Sequence, residues 1–239
     1  DHSCGNASLM YEYQHHNQSL DSLCQYIKDS NYHYYGLQLN MVHNVLITHD
    51  HADHVKSVGS ISGDLQLPVY TTEDVHRGIS QNWCVRRKVD QQYVKFVQKG
   101  EEITIGEFKV TPFGVPHDST DCVGYSVEYE GIRFTLITDC GHITDEIAQF
   151  ISISNYLVIE ANHEPEKLAA GPYPRHLKER ISGPNGHLSN EACAKALVEN
   201  ASPALRHVWL CHLSDENNHP ELAKKTIEAV LRDSGIIIG

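Results

Sequence analysis

The chain lacks any long hydrophobic run, which limits the functions open to it. Among its 239 residues, no apolar stretch approaches the roughly 20 residues that a membrane-spanning helix needs. No signal-peptide pattern opens the chain, although Asp1 in place of Met is compatible with a trimmed start. With 40% hydrophobic and 21% charged residues, the composition is that of a soluble globular protein and excludes a membrane protein.

Paired cysteines are also missing. There are 7 cysteines, an odd number, and no two of them have C-x-x-C spacing. Several lie inside apolar runs, which is typical of reduced thiols buried as small hydrophobic side chains. These features exclude a disulfide framework and predict a cytoplasmic protein.

Positive charge is scarce as well. The formal net charge is −12, which argues against a protein coated with basic surface for nucleic acid. A polyanion would have to be held by a local basic patch or by bound metal. What the chain has in excess is histidine, with 17 residues, and this number directs attention to metal-ligand spacing.

Apolar patterns predict a layered α/β sandwich in a single domain that spans residues 1–239, since no repeat or linker divides the chain. The predicted strands are Ser8–Tyr13, Val42–Thr48, Pro68–Tyr70, Tyr93–Val97, Glu102–Ile105, Phe108–Val115, Val123–Tyr129, Ile132–Ile137, Tyr156–Ile159 and His207–Cys211. The predicted helices are Leu20–Asp29, Val55–Ile61, Thr72–Trp83, one from Ser189 to about Val198 and one from Pro220 to about Leu231. Thr71 and Asp74 have the spacing of a capping box for the third of these helices.

The stretch THDHADH, residues 48 to 54, follows the apolar run Val45-Leu46-Ile47 and contains three imidazoles and two carboxylates. His49 and His51 alternate and can point the same way, whereas Asp53 and His54 come after a turn and can face a second point. Neutral imidazole and carboxylate suit zinc, manganese or iron, and this ligand density is typical of a two-metal site. The alternative is a solvated helix start with incidental histidines, but the spacing favours metal.

Three further candidate ligands each end an apolar strand, namely His117, Asp139 and His212. Each alone is weak evidence, because core strands often end in a polar residue. Together with the first cluster they supply five His and two Asp, which is the complement for two metals bridged by one carboxylate.

HxHxDH after a strand, followed in order by His, Asp and His at strand ends, resembles the metallo-β-lactamase fold superfamily over residues 40 to 239. The resemblance implies an αββα four-layer sandwich with a dinuclear metal site at the sheet edge. The ligands that it implies are His49, His51 and His117 on one metal, Asp53, His54 and His212 on the other, and Asp139 bridging both. His51 distinguishes the chain from the flavo-diiron branch, which has Glu there, and Asp139 distinguishes it from the zinc β-lactamases, which have Cys.

Motifs in the second half are similar to the YycJ/WalJ branch, relatives of phosphodiesterases such as ribonuclease Z. They are Glu160-Ala-Asn-His163, Gly186-His187-Leu-Ser-Asn190 and Cys211-His212-Leu-Ser214-x-x-Asn217-Asn218. This resemblance implies that Glu160 and His187 act as a catalytic dyad, in which the carboxylate orients the imidazole and the imidazole protonates the leaving oxygen. The alternative for His187 is an ordinary residue beside the Ser189 helix cap. His163 has no assigned role and is expected at the surface or beside the ligands.

The resemblance implies a metal-dependent phosphodiester hydrolase that degrades DNA from 5′ ends. Two divalent metals would lower the pKa of a bridging water, with Asp53 holding the resulting hydroxide. Zinc is the first expectation, and manganese or iron are alternatives, since His and Asp ligands admit all three. Two rival functions stay open: a hydrolase of a small phosphodiester or cyclic nucleotide, and a non-catalytic metal-binding regulatory module. A proton-donating dyad argues against the module.

The N-terminal part, residues 1–40, departs from the family pattern and is divergent or trimmed. Asp21 lies at about the right distance before His49 to orient a metal ligand. DNA is the expected partner, with no membrane and no protein partner indicated. Two basic clusters could contact it, or could be solvated surface. They are Arg86-Arg87-Lys88, and the favoured set of Arg175, Lys178 and Arg180, which precedes His187 in the sequence.

Overall fold

The computed structural model describes residues 41–236, which fall into two compact units. Residues 41–101 and 119–123 form one unit, here called the three-stranded unit. Residues 102–118 and 124–236 form the other, here called the six-stranded unit. Three predictions lie outside the described residues, namely the strand Ser8–Tyr13, the helix Leu20–Asp29 and the candidate Asp21. The single domain over residues 1–239 stays a prediction.

The three-stranded unit contains a parallel sheet whose strands follow chain order. Its strands are β1 (Val45–Leu46), β2 (Val69–Thr71) and β3 (Val94–Phe96). Its helices are α1 (Ala52–Val55), α2 (Val58–Leu65) and α3 (Glu73–Gln81). Buried aliphatic side chains from strands and helices form one core, which comprises Ile47, Val55, Val58, Val69, Val75, Ile79 and Val85.

The histidine-rich stretch leaves this core between two buried residues. Ile47 is buried at its start and Val55 at its end, so hydrophobic packing fixes both ends of the loop. The predicted strand Val42–Thr48 is shorter in the structure, where β1 spans Val45–Leu46. Main-chain pairing nevertheless continues past it, because His49 forms an isolated antiparallel bridge with Cys122.

Two predictions about this unit's helices need correction. The predicted helix Val55–Ile61 is two helices, α1 and α2, and α1 begins inside the histidine motif. The predicted cap Thr71 is the buried last residue of β2. Thr72 caps α3 instead, since its Oγ1 accepts a hydrogen bond from Val75 N–H at 3.3 Å.

The six-stranded unit is built on a mixed sheet in which the strands again follow chain order. Its strands are β4 (Ile103–Ile105), β5 (Phe108–Gly114), β6 (Val123–Tyr129), β7 (Ile132–Ile137), β8 (Tyr156–Glu160) and β9 (His207–Cys211). β4–β5 and β6–β7 pair antiparallel, whereas β7, β8 and β9 are parallel. Parallel neighbours end at the same sheet edge, so the residues that close β7, β8 and β9 lie close together.

The helices of this unit are α4 (Asp145–Ile153), α5 (Pro165–Ala170), α6 (Arg175–Ile181), α7 (Asn190–Asn200) and α8 (Pro220–Asp233). The sequence predicted α7 and α8. The cap of α7 is confirmed, because Ser189 Oγ accepts a hydrogen bond from Ala192 N–H at 3.1 Å. The sequence missed α4, α5 and α6. Within residues 41–236, no helix is long and apolar enough to span a membrane.

Candidate metal centre

The three-stranded unit gathers the imidazoles of the HxHxDH motif. His51 is the N-cap of α1, which places Asp53 and His54 in the first turn of that helix. The ring centroids of His49 and His51 are 4.7 Å apart, and those of His49 and His54 are 4.2 Å apart. Asp53 Oδ2 lies 3.5 Å from His54 Nε2. The four predicted ligands of this motif therefore form one cluster.

His49 is oriented from its Nδ1 side. Its side chain is fully buried, and Nδ1 lies 3.1 Å from Thr48 Oγ1. A polar contact at one ring nitrogen orients the ring and leaves the other nitrogen for a metal. The geometry of His49 therefore suits coordination through Nε2.

Asp50, between the first two histidines, has a structural role instead. Its carboxylate accepts hydrogen bonds from Thr120 N–H at 3.2 Å and from Thr120 Oγ1 at 2.6 Å. It also packs against Gly78, where an added Cβ would lie only 2.0 Å from Asp50 Oδ2. Asn82 Nδ2 donates to the Asp50 carbonyl at 2.7 Å. These contacts fix the loop that carries His49 and His51.

In the six-stranded unit, the predicted ligands Asp139 and His212 have backbone conformations that few non-glycine residues adopt. Their φ angles are 52° and 54°, in the left-handed region that costs a non-glycine residue about 1–3 kcal/mol. Asn162 helps to hold this geometry, because its Nδ2 donates to the His212 carbonyl at 2.8 Å. Strained backbone of this kind concentrates at functional sites, where it aims a side chain.

Two histidines lie close to Asp139 through the same ring atom, Nε2. His117 Nε2 and His212 Nε2 lie 3.5 Å and 3.4 Å from Asp139 Oδ1. On their other side, His117 Nδ1 lies 3.1 Å from the Gly186 carbonyl, and His212 Nδ1 lies 2.7 Å from Glu160 Oε1. Metal-binding histidines have this arrangement, with one nitrogen on a carbonyl or carboxylate and the other toward the ion.

Glu160 is fully buried and accepts hydrogen bonds at both oxygens. Its Oε1 lies 2.8 Å from His187 Nδ1 as well as 2.7 Å from His212 Nδ1. Its Oε2 accepts from the main-chain N–H groups of Cys140 and Leu188 at 2.8 Å and 3.1 Å. Burial acts to raise the pKa of Glu160, but the hydrogen bonds from His187 and His212 outweigh it and lower the pKa. Glu160 is therefore an ionised carboxylate that orients two imidazoles.

The donor set of this unit fits a divalent metal. Asp139, Glu160, His187 and His212 each offer a ligand atom, and these atoms lie within 4.8 Å of one another. Asp139 is only 2% exposed, and two buried carboxylates so close together require compensating positive charge. Imidazole and carboxylate together suit zinc and its first-row neighbours.

The three basic residues predicted to contact substrate have different environments. Arg180 Nη2 donates to Asp118 Oδ1 at 3.0 Å, and this Asp118 oxygen lies 3.6 Å from His117 Nε2. Lys178 Nζ donates to the carbonyl of Ala169 at 2.6 Å. Arg175 forms an ion pair with Glu179 on the surface of α6. Among these three, Arg180 lies beside a predicted metal ligand.

The sequence did not reveal three contributors to this geometry. They are Thr48, Asn162 and the carbonyl of Gly186, all of which lie in motifs already singled out. His163, expected at the surface or beside the ligands, is not at the surface, since it is 3% exposed. Its carbonyl accepts from Asn190 N–H at 2.9 Å and so ties β8 to the start of α7.

The cysteines described by the structure behave as the sequence predicts. Cys84, Cys122, Cys140, Cys193 and Cys211 are free thiols, and all but Cys84 are buried. Burial raises the pKa of Cys140, Cys193 and Cys211, and the Glu160 charge adds to the effect. These thiols therefore stay protonated and serve as small core side chains.

Fold and donor set together define a metal-dependent hydrolase of the metallo-β-lactamase fold, and the comparisons with known proteins agree. The family model described as the beta-lactamase superfamily domain matches residues 27–212, and the chain belongs to this superfamily.

Two curated relatives indicate which branch of the superfamily the chain is similar to. Exodeoxyribonuclease YycJ of Bacillus anthracis is 34% identical over 203 residues, which cover 85% of this chain and 76% of that protein. Exodeoxyribonuclease WalJ of Streptococcus pneumoniae is 33% identical over 195 residues, which cover 82% of this chain and 72% of that protein. The predicted resemblance to the YycJ/WalJ branch is confirmed.

A solved structure supports the fold. Zinc-bound PqqB from Methylobacterium extorquens superposes with a TM-score of 0.60 at 18% identity, covering 82% of this chain and 70% of that one. The predicted α/β fold class of the metallo-β-lactamase superfamily is confirmed.

Proposed function

We propose that this chain is a metal-dependent phosphodiester hydrolase that degrades DNA in the 5′→3′ direction. The observation that carries the proposal is the 2.8 Å contact between His187 Nδ1 and Glu160 Oε1 next to Asp139. A binding module has no need of an imidazole oriented by a buried carboxylate. Two relatives named exodeoxyribonucleases support DNA as the substrate, and the 5′→3′ polarity rests on the branch resemblance.

We propose two divalent ions, with zinc first and manganese or iron as alternatives. When bound, such ions supply a hydroxide nucleophile near neutral pH and neutralise the phosphate oxygens. The proposed ligands are those that the sequence motif assigns, namely His49, His51, Asp53, His54, His117, Asp139 and His212. His117 and His212 are held by their Nδ1 atoms, so Nε2 is their proposed ligand atom.

His187 is the proposed general acid. Its Nδ1 contacts Glu160, so Nε2 is the atom proposed to donate a proton to the leaving oxygen. The side chain is 17% exposed, enough to reach a substrate. Asp53, with a mostly exposed carboxylate, is proposed to position the attacking water.

Arg180 is the proposed phosphate contact among the three basic residues, because Asp118 holds it beside His117. Lys178 and Arg175 lie earlier on the same helix.

Free, buried thiols support a proposed cytoplasmic location. We propose DNA as the partner and infer no protein partner.

The test is turnover of duplex DNA labelled at the 5′ or the 3′ end, of RNA and of bis-p-nitrophenyl phosphate, each with zinc or manganese. We expect early release of mononucleotides from the 5′ label. Release from 3′ ends alone would overturn the polarity, and hydrolysis restricted to the small diester would favour the rival phosphodiesterase.

A further inference from the structure

Trp83 is the most exposed large hydrophobic side chain of residues 41–236. It is 89% exposed, compared with 60% for Phe96, the next in order. An indole usually contributes one of the largest buried areas of any side chain. In this position the indole contributes little to the core, and its ring faces are open to a ligand.

The backbone around Trp83 is firmly held. Asn82 Oδ1 accepts a hydrogen bond from Cys84 N–H at 2.9 Å, and Asn82 O accepts from Val85 N–H at 3.1 Å. Val85 is buried in the core of the three-stranded unit. The indole therefore projects from an ordered turn between the end of α3 and a core residue, rather than from a frayed terminus.

The same turn is tied to the loop that carries the metal-ligand candidates. Asn82 Nδ2 donates to the Asp50 carbonyl at 2.7 Å, and Asp50 lies between His49 and His51 in the chain. One side chain thus connects the Trp83 turn to the histidine loop within a single unit. A ligand on Trp83 would be fixed relative to these histidines.

Of the three consecutive basic residues beyond Trp83, two have structural contacts. Arg87 Nη1 donates to Asp64 Oδ1 at 2.6 Å, and Lys88 Nζ donates to the Asn82 carbonyl at 2.6 Å, where it caps α3. Arg86 is exposed, with no hydrogen-bond or ion-pair partner among residues 41–236. In a chain with a net charge of −12, a cation that no carboxylate neutralises suits an external anion.

We propose that Trp83 and Arg86 bind the single-stranded end of the DNA substrate, Trp83 by stacking on a base and Arg86 by pairing with a phosphate. This inference rests on the proposed function and adds a substrate contact to it. Stacking needs an exposed base face, which the bases of a single strand offer and the interior base pairs of a duplex do not. Stacking on aromatic rings tolerates any base, as an exonuclease requires.

The test is binding of a short oligothymidylate with phosphorothioate linkages to the metal-loaded full chain, followed by indole fluorescence. We expect quenching in the wild type and in Trp209→Phe, which removes the other tryptophan, and no quenching in Trp83→Phe. Trp83→Ala should raise the dissociation constant by roughly 5- to 100-fold, the range for losing one stacked base. Trp83→Phe should keep most of the affinity because phenylalanine still stacks.

Arg86→Ala should lower the slope of log affinity against log salt by about 0.7, the value for one phosphate contact on a single strand. Matched controls are Phe108→Ala, an exposed aromatic on β5, and Arg232→Ala, an exposed arginine on α8. Both should bind like the wild type, and every variant should keep the wild-type metal content.

Unchanged affinity in both Trp83→Ala and Arg86→Ala, with DNA still degraded by the wild type, would overturn this inference and leave the proposed function intact. The same result is expected if the surface binds a protein. A wild type that hydrolyses only small diesters and binds no oligonucleotide would overturn the proposed function itself.

Discussion

At the scale of single residues, Glu160 contacts both the proposed general acid, His187, and a proposed metal ligand, His212, through the same oxygen. The sequence predicted the first partner through a motif. The second follows from strand register, because Glu160 on β8 pairs with Cys211 on β9 and so lies next to His212. No local pattern reveals such a register, which explains why the second contact was missed.

Glu160→Gln should therefore impair two functions at once. The amide keeps the volume but replaces the ionised oxygen, so neither imidazole is oriented by charge. We expect metal affinity to fall by about 10- to 100-fold, the usual cost of losing the partner of a ligating histidine, together with a loss of turnover. Titration of metal-free protein with zinc or manganese measures the first effect. Unchanged metal affinity would show that Glu160 serves His187 alone.

His187→Ala should separate chemistry from metal binding. We expect the variant to keep its metal content and fold but to lose about 10²–10⁴-fold in DNA turnover, the range for a positioned general acid. The loss should shrink with bis-p-nitrophenyl phosphate, because p-nitrophenolate leaves without a proton. Metal analysis and parallel rates on both substrates provide the measurement.

The control for this experiment is His51→Ala, which should lose metal and turnover together on every substrate. If His187→Ala removes the metal, or slows both diesters equally, His187 is a ligand or a phosphate contact rather than an acid.

At the scale of elements, the strand ends were predictable and several helices were not. His117, Asp139 and His212 each follow an apolar run, and such runs are visible in the sequence. By contrast, α6 is seven residues long and has no buried residue. A helix without an apolar face leaves no periodic signal. The left-handed φ angles of Asp139 and His212 also left no local signal.

His76 on α3 links this helix to strands β2 and β3. Its Nε2 lies 3.1 Å from both the Val69 and the Lys95 carbonyl. Burial lowers the pKa of His76 below its ordinary value of 6.5, and the two carbonyl contacts offset this only in part. His76 also lines a cavity of about 340 Å³, and the charged side chains of Glu73, Arg77 and Lys88 line that cavity too.

This depressed pKa predicts a loss of stability in mild acid. Below the ordinary value of 6.5, the unfolded chain binds a proton at His76 more readily than the folded chain, so the free energy of unfolding falls as the pH falls. His76→Gln keeps a hydrogen-bond donor but does not titrate. Urea unfolding between about pH 5 and 7 should give a shallower pH dependence in this variant than in the wild type. Equal slopes would contradict the prediction.

At the scale of the whole molecule, charge and ligand chemistry point in different directions. A net charge of −12 disfavours general attraction to DNA, whereas the relatives and the dyad favour a nuclease. Bound cations reconcile the two, because they reverse the sign of the field where the phosphate must bind. Composition alone could not have predicted a DNA substrate, and the resemblance of the second-half motifs to the YycJ/WalJ branch was needed.

Metal should accordingly be a large contributor to stability. Asp139 and Glu160 are buried within a cluster of imidazoles, and ions that bind only the folded chain stabilise it by mass action. At 100 times the dissociation constant the effect is about 2.7 kcal/mol, or roughly 5–10 °C in melting temperature for a chain of this size. Chelation should lower the wild-type melting temperature by this amount. In His212→Ala the shift should be much smaller.

Elemental analysis of undialysed protein should find two ions per chain, and re-addition of metal should restore the melting temperature of the chelated wild type. The metal-dependent mechanism would be refuted if the chain contained no transition metal even after reconstitution and if chelator did not change its melting temperature. One ion per chain would instead retain a hydrolase but remove the bridging role proposed for Asp139, because a carboxylate can bridge only when both ions are present.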